Sequence, residues 1–504
     1  MRRGLVLCLI AFGLTSAPAL TAPKASCARP DHPGGEWRWY GHDYSNSRTQ
    51  PAEKKIGLPE AAQLQPAWYF SAEEAGGSGD FTGTPVIADG CVYMGSNDAW
   101  VFAMNADTGE LVWKTRVDKR GGINSSLAII GGRVFASVSR IARPYAVALD
   151  QQTGHELWRT TLDTQPGSDI YSSPVVYDGF VVLGVSGGAA ELGDEADRHS
   201  FQGNYSLIEM ATGEVLHKEW TIRPPDKNVN KPKDDYAGAA VWSSAAVDTA
   251  TKTGYLVSGN PFRPQAEHKH TNAILKIDFD RASPRFGRII AAYKGTVDEY
   301  FPAIGDLPCY DIPGNPPPYY PQGIGACQDL DMDFGASPNL FEVDGKKVVG
   351  AGQKSGVYHV ADRTSMEGVW KTIVGPPSAV GGIVGSTAFN GDAIFGPITV
   401  PGYLWSLNSS GGHRWISPIG DGAHWGNPVS VANGVVYTVD LRGFLTGYDA
   451  ATGAPVFASP LWSSGGSGLK LSWGGVSIAR NMVYAAVGIT GGDGFIFGYS
   501  MGET

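Results

Sequence analysis

One short unit recurs along the chain, and this repetition limits the folds available to it more than any other feature. The clearest copy begins at Thr84, alternates apolar and polar residues on both sides of a turn at Gly90, and reaches a second turn at Gly109, with Trp113 four residues later. Short segments that alternate in this way are predicted to be strands, and an Asp-Gly pair between two of them is a hairpin turn. The repeat therefore predicts a chain of small antiparallel sheets.

The interval between the second turn and the aromatic residue is kept in later copies. The turn glycine stands four residues before the aromatic residue in Gly109 with Trp113, Gly154 with Trp158, Gly411 with Trp415, and Gly453 with Phe457. Two copies are degraded: His217 replaces the aromatic residue in one, and Met366 replaces the glycine in the other. A turn and an aromatic residue at a fixed distance indicate one structural unit repeated along the chain.

Eight copies can be counted from the residues that open their first strands. They begin near Thr84, Ser125, Ser173, Ser243, Ser337, Ser386, Asn427 and Trp473. The last copy lacks its aromatic strand, and the segment 65–70 near the N-terminus can supply one. A ring closed in this way leaves no incomplete sheet edge. We therefore predict an all-β fold, an eight-bladed β-propeller of four-stranded blades whose ring is closed by an N-terminal strand.

Residues 1–22 have the pattern of an export signal. Arg2 and Arg3 precede an apolar run from Leu5 to Leu14, and small residues follow up to Ala22. This run is shorter than the roughly 20 residues that a membrane-spanning helix needs, and no other segment reaches that length. We expect a periplasmic or secreted protein without a membrane span, in which residues 23–504 form a single propeller.

The charge of the chain argues against nucleic acid as a partner. It has 39 Lys and Arg against 49 Asp and Glu, a net charge of −10, and no long basic run. Nucleic-acid binding depends on a concentration of positive charge. With 42% hydrophobic and 17% charged residues, the chain can bury a large core.

A long insertion interrupts the repeats at residues 296–330, and we expect it to act as a lid. Loops inserted into such arrays often gather on the binding face. Removal of residues 1–22 would leave four cysteines in an oxidising compartment, where disulfides persist. Cys309 and Cys327 both lie in the insertion, so we expect them to pair. That bond would close a loop of about 18 residues and contribute roughly 3 kcal/mol.

Five short motifs follow one another in the third, fourth and fifth copies. They contain Ser186 with Glu191, Trp242, Asn260, Asp331 with Asp333, and Lys354. In this order, and together with the segment 39–48, they resemble the motifs of the quinoprotein alcohol dehydrogenases, propeller enzymes that use pyrroloquinoline quinone (PQQ) and a metal ion. The resemblance covers nearly all of residues 23–504.

The resemblance implies a set of cofactor and metal ligands. The implied PQQ-binding residues are Trp242, Ser186, Ser173 and Lys354, and the implied ligands of calcium or a lanthanide are Glu191, Asn260, Asp331 and Asp333. A planar quinone stacks well on an indole ring, and both kinds of cation prefer hard oxygen ligands.

The resemblance also implies catalytic roles for Asp331 and Lys354. Asp331 would take the hydroxyl proton of an alcohol as hydride moves to the quinone. Lys354 would hydrogen-bond the quinone oxygen on which charge develops, and the metal would act as a Lewis acid. We therefore expect an exported PQQ-dependent oxidoreductase.

The compact size and the glycine-rich C-terminal part resemble the polyvinyl-alcohol dehydrogenase branch of the family, which suggests a secondary or polymeric alcohol as substrate. No Cys-x-x-Cys-His motif for a c-type haem occurs. Electrons would therefore leave to a separate acceptor such as a c-type cytochrome.

Other interpretations stay open at this stage. Trp242 taken alone is an ordinary core residue, Glu191 and Asn260 are ordinary turn residues, and Lys354 is an ordinary solvated charge. The chain could be a non-catalytic propeller that resembles the outer-membrane assembly lipoprotein and acts as a scaffold, or a PQQ-type sugar dehydrogenase. A scaffold has no reason to keep Trp242, Asn260, Asp331 and Lys354 together.

Overall fold

A computed structural model describes residues 25–188, 201–222, 237–262, 268–296, 332–377, 382–399, 401–418, 427–440, 443–461, 473–488 and 492–502. Within these ranges are 33 strands and one short helix, α1 (Leu58–Ala61). The strands form eight sheets, each an antiparallel meander of four strands, and one of them gains a short parallel strand. The prediction of an eight-bladed propeller of four-stranded blades is confirmed.

The blades are numbered in chain order. Blade 1 contains β3 (Val86–Ala88), β4 (Cys91–Gly95), β5 (Trp100–Asn105) and β6 (Leu111–Arg116). Blade 2 contains β7 (Ala128–Ile130), β8 (Arg133–Val138), β9 (Tyr145–Asp150) and β10 (Glu156–Thr161). Blade 3 contains β11 (Val175–Tyr177), β12 (Phe180–Val185), β13 (Asn204–Glu209) and β14 (Val215–Trp220). Blade 4 contains β15 (Ala246–Asp248), β16 (Thr253–Val257), β17 (Ala273–Asp278) and β18 (Ile289–Lys294).

The second half of the ring follows the same plan. Blade 5 contains β19 (Asn339–Val343), β20 (Lys346–Gly352), β21 (Val357–Asp362) and β22 (Gly368–Ile373). Blade 6 contains β23 (Ala388–Phe389), β24 (Ala393–Ile398), β25 (Tyr403–Asn408) and β26 (His413–Pro418). Blade 7 contains β27 (Ser430–Ala432), β28 (Val435–Val439), β29 (Phe444–Asp449), β30 (Pro455–Pro460) and the parallel strand β1 (Thr49–Gln50). Blade 8 contains β31 (Val476–Ala479), β32 (Met482–Val487), β33 (Phe495–Met501) and β2 (Leu64–Ser71).

The N-terminal strand β2 closes the ring by completing blade 8. It pairs antiparallel with β33, from Leu64 opposite Met501 to Ser71 opposite Phe495. The predicted closing segment, 65–70, lies within this strand. The ends of the chain are thereby joined in one sheet, and no edge of blade 8 is left incomplete.

The recurring glycine and aromatic residue form the joint between neighbouring blades. A Cβ atom on Gly154 of blade 2 would lie 2.5 Å from the ring of Trp113 in blade 1, so the indole packs directly on the glycine backbone. Trp113 Nε1 also donates a hydrogen bond of 3.0 Å to the carbonyl oxygen of Gln151. In the degraded copy, His217 takes the place of the indole and packs on Gly287 of blade 4. The fixed interval in the sequence therefore reflects a contact between blades.

The two ends of the propeller differ. In an antiparallel meander, the turn between the second and third strands and the connection to the next blade lie at one end, called here the site mouth. The turns after the first and third strands lie at the opposite end, called here the belt mouth. The candidate functional residues fall on segments of the site mouth: Ser186, Asn260 and Lys354 follow second strands, and Trp242 and Asp333 precede first strands.

A second N-terminal segment, residues 35–50, runs around the belt mouth and is called the belt. It hydrogen-bonds to the innermost strand of every blade or to the turn that follows it, through Ile87, Ile129, Val176, Val247, Leu340, Phe389, Val431 and Arg480. Val247 N donates to Tyr44 O at 2.7 Å, and Phe389 N donates to Ser47 O at 2.8 Å. The belt thus ties all eight innermost strands together at the end opposite the candidate site.

Arg48 of the belt is fully buried. Its guanidinium donates to the carbonyl oxygen of Val429 at 2.7 Å and to Ser430 Oγ at 2.9 Å, and it lies 4.6 Å from the centroid of the Tyr40 ring. Burial lowers the pKa of Arg48 to about 10, so the side chain stays charged at neutral pH. Backbone dipoles and an aromatic face therefore compensate this charge.

A disulfide joins Cys27, ahead of the belt, to Cys91 at the start of β4. The expected partners Cys309 and Cys327 lie outside the described residues, as do residues 1–22 and all of the insertion except Thr296. In the described part of the chain, no helix has the length and apolar character needed to cross a membrane.

Candidate functional site

Serine hydroxyls connect the innermost strands of successive blades just below the site mouth. Ser126 N donates to Ser173 Oγ at 3.0 Å, Ser173 N donates to Ser244 Oγ at 2.9 Å, and Ser244 N donates to Ser337 Oγ at 3.0 Å. The same bond joins Ser337 N to Ser386 Oγ at 2.9 Å. The recurring Ser-Pro and Ser-Ser pairs of the sequence therefore link blade to blade. Ser173, a predicted PQQ contact, is part of this chain of bonds.

The carboxylate of Asp333 is the centre of the candidate site. Asp333 Oδ2 accepts a hydrogen bond of 3.1 Å from Trp242 Nε1 and lies 3.6 Å from Lys354 Nζ. Asp333 Oδ1 accepts a hydrogen bond from the backbone nitrogen of Asn260. The structure therefore brings four of the predicted site residues together, and they come from the connections and turns of blades 4 and 5.

Lys354 and Trp242 also contact each other. The Lys354 ammonium lies 5.4 Å from the centroid of the Trp242 ring, within the range of a cation–π interaction. The Lys354 side chain is 11% exposed and that of Asp333 is 5% exposed. Because water is largely excluded, the ion pair and the hydrogen bonds are screened less than on the surface. An indole ring, a cation and an anion are thus held in fixed relation at the site mouth.

Two glycines allow this close approach. A Cβ atom on Gly259 would lie 2.5 Å from Asp333 Oδ1, and one on Gly335 would lie 3.0 Å from Cη2 of Trp242. Any side chain at Gly259 would displace the carboxylate from the backbone of Asn260. Packing at the site therefore requires glycine at both positions, Gly259 and Gly335.

Ser186 lies next to this group across one backbone contact. It follows β12, and the last residue of that strand, Val185, accepts through its carbonyl oxygen a hydrogen bond of 3.0 Å from the backbone nitrogen of Val241, next to Trp242. Ser186 Oγ accepts a hydrogen bond of 3.2 Å from Gly188 N, and the residue is 4% exposed. Ser186 therefore lies at the site mouth, next to the segment that carries Trp242.

A buried network behind Lys354 was missed by sequence reasoning. His359 Nδ1 and the Tyr293 hydroxyl are 3.1 Å apart, and His359 Nε2 is 3.1 Å from Gln353 Oε1. Burial lowers the pKa of His359 to about 3, so the ring is neutral near pH 7. The network fixes the residue that precedes Lys354. No signal in the sequence indicated it, because a histidine inside a strand has no distinctive spacing.

The side chain of Asn260 tests whether the site suits a cation. Asn260 is 1% exposed, and its Nδ2 atom has no hydrogen-bond acceptor among the described residues. Rotation of the amide by 180° would place the oxygen there instead, and a cation would then be its natural partner. With the adjacent Asp333 carboxylate, this gives two hard oxygen donors. The residues present therefore fit calcium or a lanthanide, and the flat indole of Trp242 fits a planar cofactor.

The remaining predicted ligands, Glu191 and Asp331, lie outside the described residues. Asp331 is separated from Asp333 by one residue only. Within the described ranges, no group of three or more His, Cys, Asp or Glu side chains is arranged to hold a metal ion. The described part of the site thus supplies two possible metal ligands, and the two other predicted ligands lie outside it.

Comparison with known proteins by sequence gives relatives along nearly the whole chain. The profile of a family described as PQQ_2, "Outer membrane protein assembly factor BamB", matches residues 60–258. The polyvinylalcohol dehydrogenase of a Pseudomonas species is 24% identical, over 93% of this chain and 75% of the relative.

Comparison of structures also gives similar propellers. The quinohemoprotein alcohol dehydrogenase of Comamonas testosteroni has a TM-score of 0.69 at 18% identity, and the match covers 93% of this chain and 82% of that one. A europium-containing methanol dehydrogenase has a TM-score of 0.68 at 15% identity, with 93% and 98% covered. At these identities the structural likeness establishes the propeller fold.

Proposed function

We propose that this chain, a homologue of the polyvinyl-alcohol and quinohemoprotein alcohol dehydrogenases, is a PQQ-dependent oxidoreductase that oxidises an alcohol at the site mouth. The observation that carries the proposal is the convergence of Trp242, Asn260 and Lys354 on the carboxylate of Asp333. These residues come from separate segments, and a propeller needs no such convergence for its stability.

In this proposal the described residues bind the cofactor. Trp242 would be the stacking surface for the quinone ring, because an indole face is flat and its plane is fixed by the bond to Asp333. Lys354, whose ammonium lies 5.4 Å from the centroid of the same indole ring, would donate a hydrogen bond to a quinone oxygen. Ser186 and Ser173 hold the edge of the cofactor from blade 3.

The residues that would hold the cation are Asn260, Asp333, Glu191 and Asp331. When bound, the quinone supplies an acceptor for the hydride of the alcohol carbon, and the cation supplies a Lewis acid. Asp331 takes the hydroxyl proton of the substrate, so that the alcohol leaves as an aldehyde or ketone. Calcium and a lanthanide are both compatible with oxygen ligands of this kind.

The substrate in this proposal is a secondary or polymeric alcohol, and the chain acts in the periplasm or after secretion. The sequence identity of 24% with a polyvinylalcohol dehydrogenase supports this substrate class. Because the sequence has no Cys-x-x-Cys-His motif, electrons pass to a separate acceptor such as a c-type cytochrome.

The experiment is a titration of the purified quinone-free protein with PQQ, in the presence of calcium or lanthanum, followed by dye-linked oxidation of propan-2-ol. Trp242→Ala should weaken binding at least tenfold, because the stacking surface is lost. Trp220→Ala is the matched control, since this partly exposed tryptophan lies on the outer strand of blade 3. Asp331→Asn should retain binding and lose turnover. Absence of binding with either metal would overturn the proposal.

A second function is supported by the family profile. The match of residues 60–258 to a profile described as an outer membrane protein assembly factor favours a non-catalytic scaffold. A scaffold would show neither PQQ binding nor sensitivity to Trp242→Ala. A PQQ-type sugar dehydrogenase would bind the cofactor and oxidise an aldose in preference to propan-2-ol. The same titration, with both substrates, separates the three functions.

A further inference from the structure

A polar cleft opens at the site mouth between blades 1 and 2, outside the group around Asp333. Its volume is about 330 Å³. Its lining comes from four connecting segments of the site mouth, which contribute Asn97 and Asp98, Arg120 and Asn124, Ser139 to Ile141, and Asp169. The cleft therefore faces the same side of the molecule as the proposed quinone site.

The walls of the cleft are fixed by backbone contacts. Gly122 and Ser139 exchange hydrogen bonds of 2.9 and 2.7 Å, and a Cβ atom on Gly122 would lie 2.3 Å from the carbonyl oxygen of Asn97. Asp118 Oδ1 accepts bonds from the backbone nitrogens of Arg120 and Gly121 at 2.7 and 3.2 Å. The lining loops are thus already in place before any ligand arrives.

Asp169 connects the cleft to the proposed quinone site. Its backbone exchanges hydrogen bonds of 2.9 and 2.8 Å with Ser186, so the two residues are directly opposite each other. Its side chain lines the cleft, where Oδ1 accepts a bond of 2.5 Å from Ser139 Oγ. Opposed residues of two strands have Cα atoms about 4.5–5.5 Å apart. One end of the cleft is therefore a single residue step from Ser186.

The chemistry of the lining suits an uncharged ligand that carries several hydroxyl groups. The two cations, Arg120 and Arg140, balance the two acids, Asp98 and Asp169, so the cleft has no net charge to select an ion. Asp98 is paired with Arg116 at 2.6 Å, and Arg140 with Asp118 at 3.3 Å. The amide and hydroxyl groups between these pairs can both donate and accept hydrogen bonds.

One apolar side chain stands at the rim of the cleft. Ile141 is 65% exposed, so most of its surface faces solvent. Such a side chain can pack against the methylene groups of a carbon chain whose hydroxyl groups face the polar lining. A neutral polyhydroxylated chain can contact both the polar lining and Ile141, whereas a small alcohol would contact neither.

We propose that the cleft between blades 1 and 2 is a subsite for the chain of a polymeric alcohol, which it holds while one hydroxyl group of the chain reaches the quinone site near Ser186. This inference rests on the proposed function, and it specifies the substrate as a polyol longer than the reacting carbon and its neighbours. Arg120 and Ile141 bind the chain and take no part in the reaction.

The test is binding of a short poly(vinyl alcohol) oligomer to the quinone-free protein, measured by isothermal titration calorimetry. Ile141→Asp and Arg120→Ala should each weaken binding at least fivefold. Ile373→Asp is the matched control, because Ile373 is 62% exposed on the outer strand of blade 5. It should change the affinity less than twofold. No binding by the unaltered protein, or equal binding by all variants, would overturn the subsite.

Turnover by the PQQ-loaded protein separates this inference from the proposed function. For the oligomer, kcat/KM divided by its value for propan-2-ol should fall at least fivefold in Ile141→Asp. If both substrates are oxidised and this ratio does not change, the function stands and the subsite is wrong. If neither substrate is oxidised, the function itself fails. A loss of PQQ affinity in Arg120→Ala without a change in oligomer binding would assign the cleft to the cofactor instead.

Discussion

The indole nitrogen of Trp242 donates a hydrogen bond of 3.1 Å to Asp333, the same carboxylate that the Lys354 ammonium approaches to 3.6 Å. A single acidic side chain therefore sets both the plane of the ring proposed to carry the quinone and the position of the cation above it.

Asp333→Asn should weaken PQQ binding about tenfold or more. The substitution keeps the volume of the side chain but removes the negative charge that faces buried Lys354, and breaking a buried pair typically costs about 3–5 kcal/mol. Titration of PQQ against the quinone-free protein measures the effect. Asp280→Asn is the control, because Asp280 forms an exposed pair with Lys252 at 3.0 Å. Similar PQQ affinities in both variants would show that Asp333 does not organise the site.

Addition of calcium or lanthanum should raise the melting temperature, and Asn260→Ala should abolish this increase. A ligand at 100 times its dissociation constant stabilises a folded protein by about 2.7 kcal/mol. Thermal melts with and without metal, in the absence of PQQ, provide the measurement. Asn408→Ala, at the exposed end of β25, should keep the full increase. A metal response that survives in Asn260→Ala would remove this residue from the ligand set.

Gly154→Ala should destabilise the protein more than Gly132→Ala, by about 1–3 kcal/mol. Both glycines have a φ of +71°, so both substitutions cost the same backbone strain. Only at Gly154 would the new Cβ meet the Trp113 ring at 2.5 Å, whereas at Gly132 no atom of the described residues, its chain neighbours apart, lies within 4 Å. Urea unfolding of the two variants isolates the blade-to-blade contact. Equal losses of unfolding free energy in the two variants would mean that the indole of Trp113 can shift at no cost.

Reduction of the Cys27–Cys91 disulfide should lower the stability by about 2–4 kcal/mol. The two cysteines are 64 residues apart, and a crosslink across that separation restricts the unfolded chain. Melting temperatures of the oxidised protein and of Cys27→Ser, each with and without reductant, test this. Reductant should have no effect on the variant beyond any contribution of the remaining cysteines. An unchanged melting temperature in Cys27→Ser would contradict the prediction.

Acid should destabilise the protein between about pH 6.5 and pH 3, in part through His359. Its pKa is lowered by burial to about 3, against 6.5 as the ordinary value, so in this range the unfolded chain binds a proton that the folded chain excludes. The stability is complete above pH 6.5 and falls by up to about 1.4 kcal/mol per pH unit as the pH drops. His359→Gln should flatten this slope, and His413→Gln at an exposed position should not. Denaturant unfolding of both variants at several pH values measures how steeply the stability of each falls with pH.

The fold could be predicted from the sequence because its defining contacts are repeated and local. The spacing of Gly154 and Trp158 follows from one turn and one strand, and the same pair occurs in other copies. The closing strand could be found because blade 8 lacked a partner that segment 65–70 could supply. The belt could not be foreseen, since each of its bonds joins one N-terminal residue to a different blade, without any periodicity.

The site was predicted less completely, for a related reason. Resemblance indicated Trp242, Asn260, Asp333 and Lys354, but not that Asp333 joins the other three, because those contacts join separate segments of the chain and no spacing in the sequence reports them. The disulfide of Cys27 with Cys91 was not predicted, because its two cysteines are 64 residues apart and no pattern in the sequence links them. The predicted pairing of Cys309 with Cys327 is compatible with it and stays a prediction.

The belt has a consequence for how such a ring can evolve. A closing strand by itself does not fix the number of blades, since any final blade could pair with β2 whatever the number of blades before it. The belt does fix this number, because successive belt residues bond to successive blades: Tyr44 to Val247, Ser45 to Leu340, Ser47 to Phe389 and Arg48 to Val431. Duplication or loss of one blade would shift every later partner by one place. The sixteen residues of the belt therefore act as a template for blade number and resist changes in copy number that the repeats alone would allow.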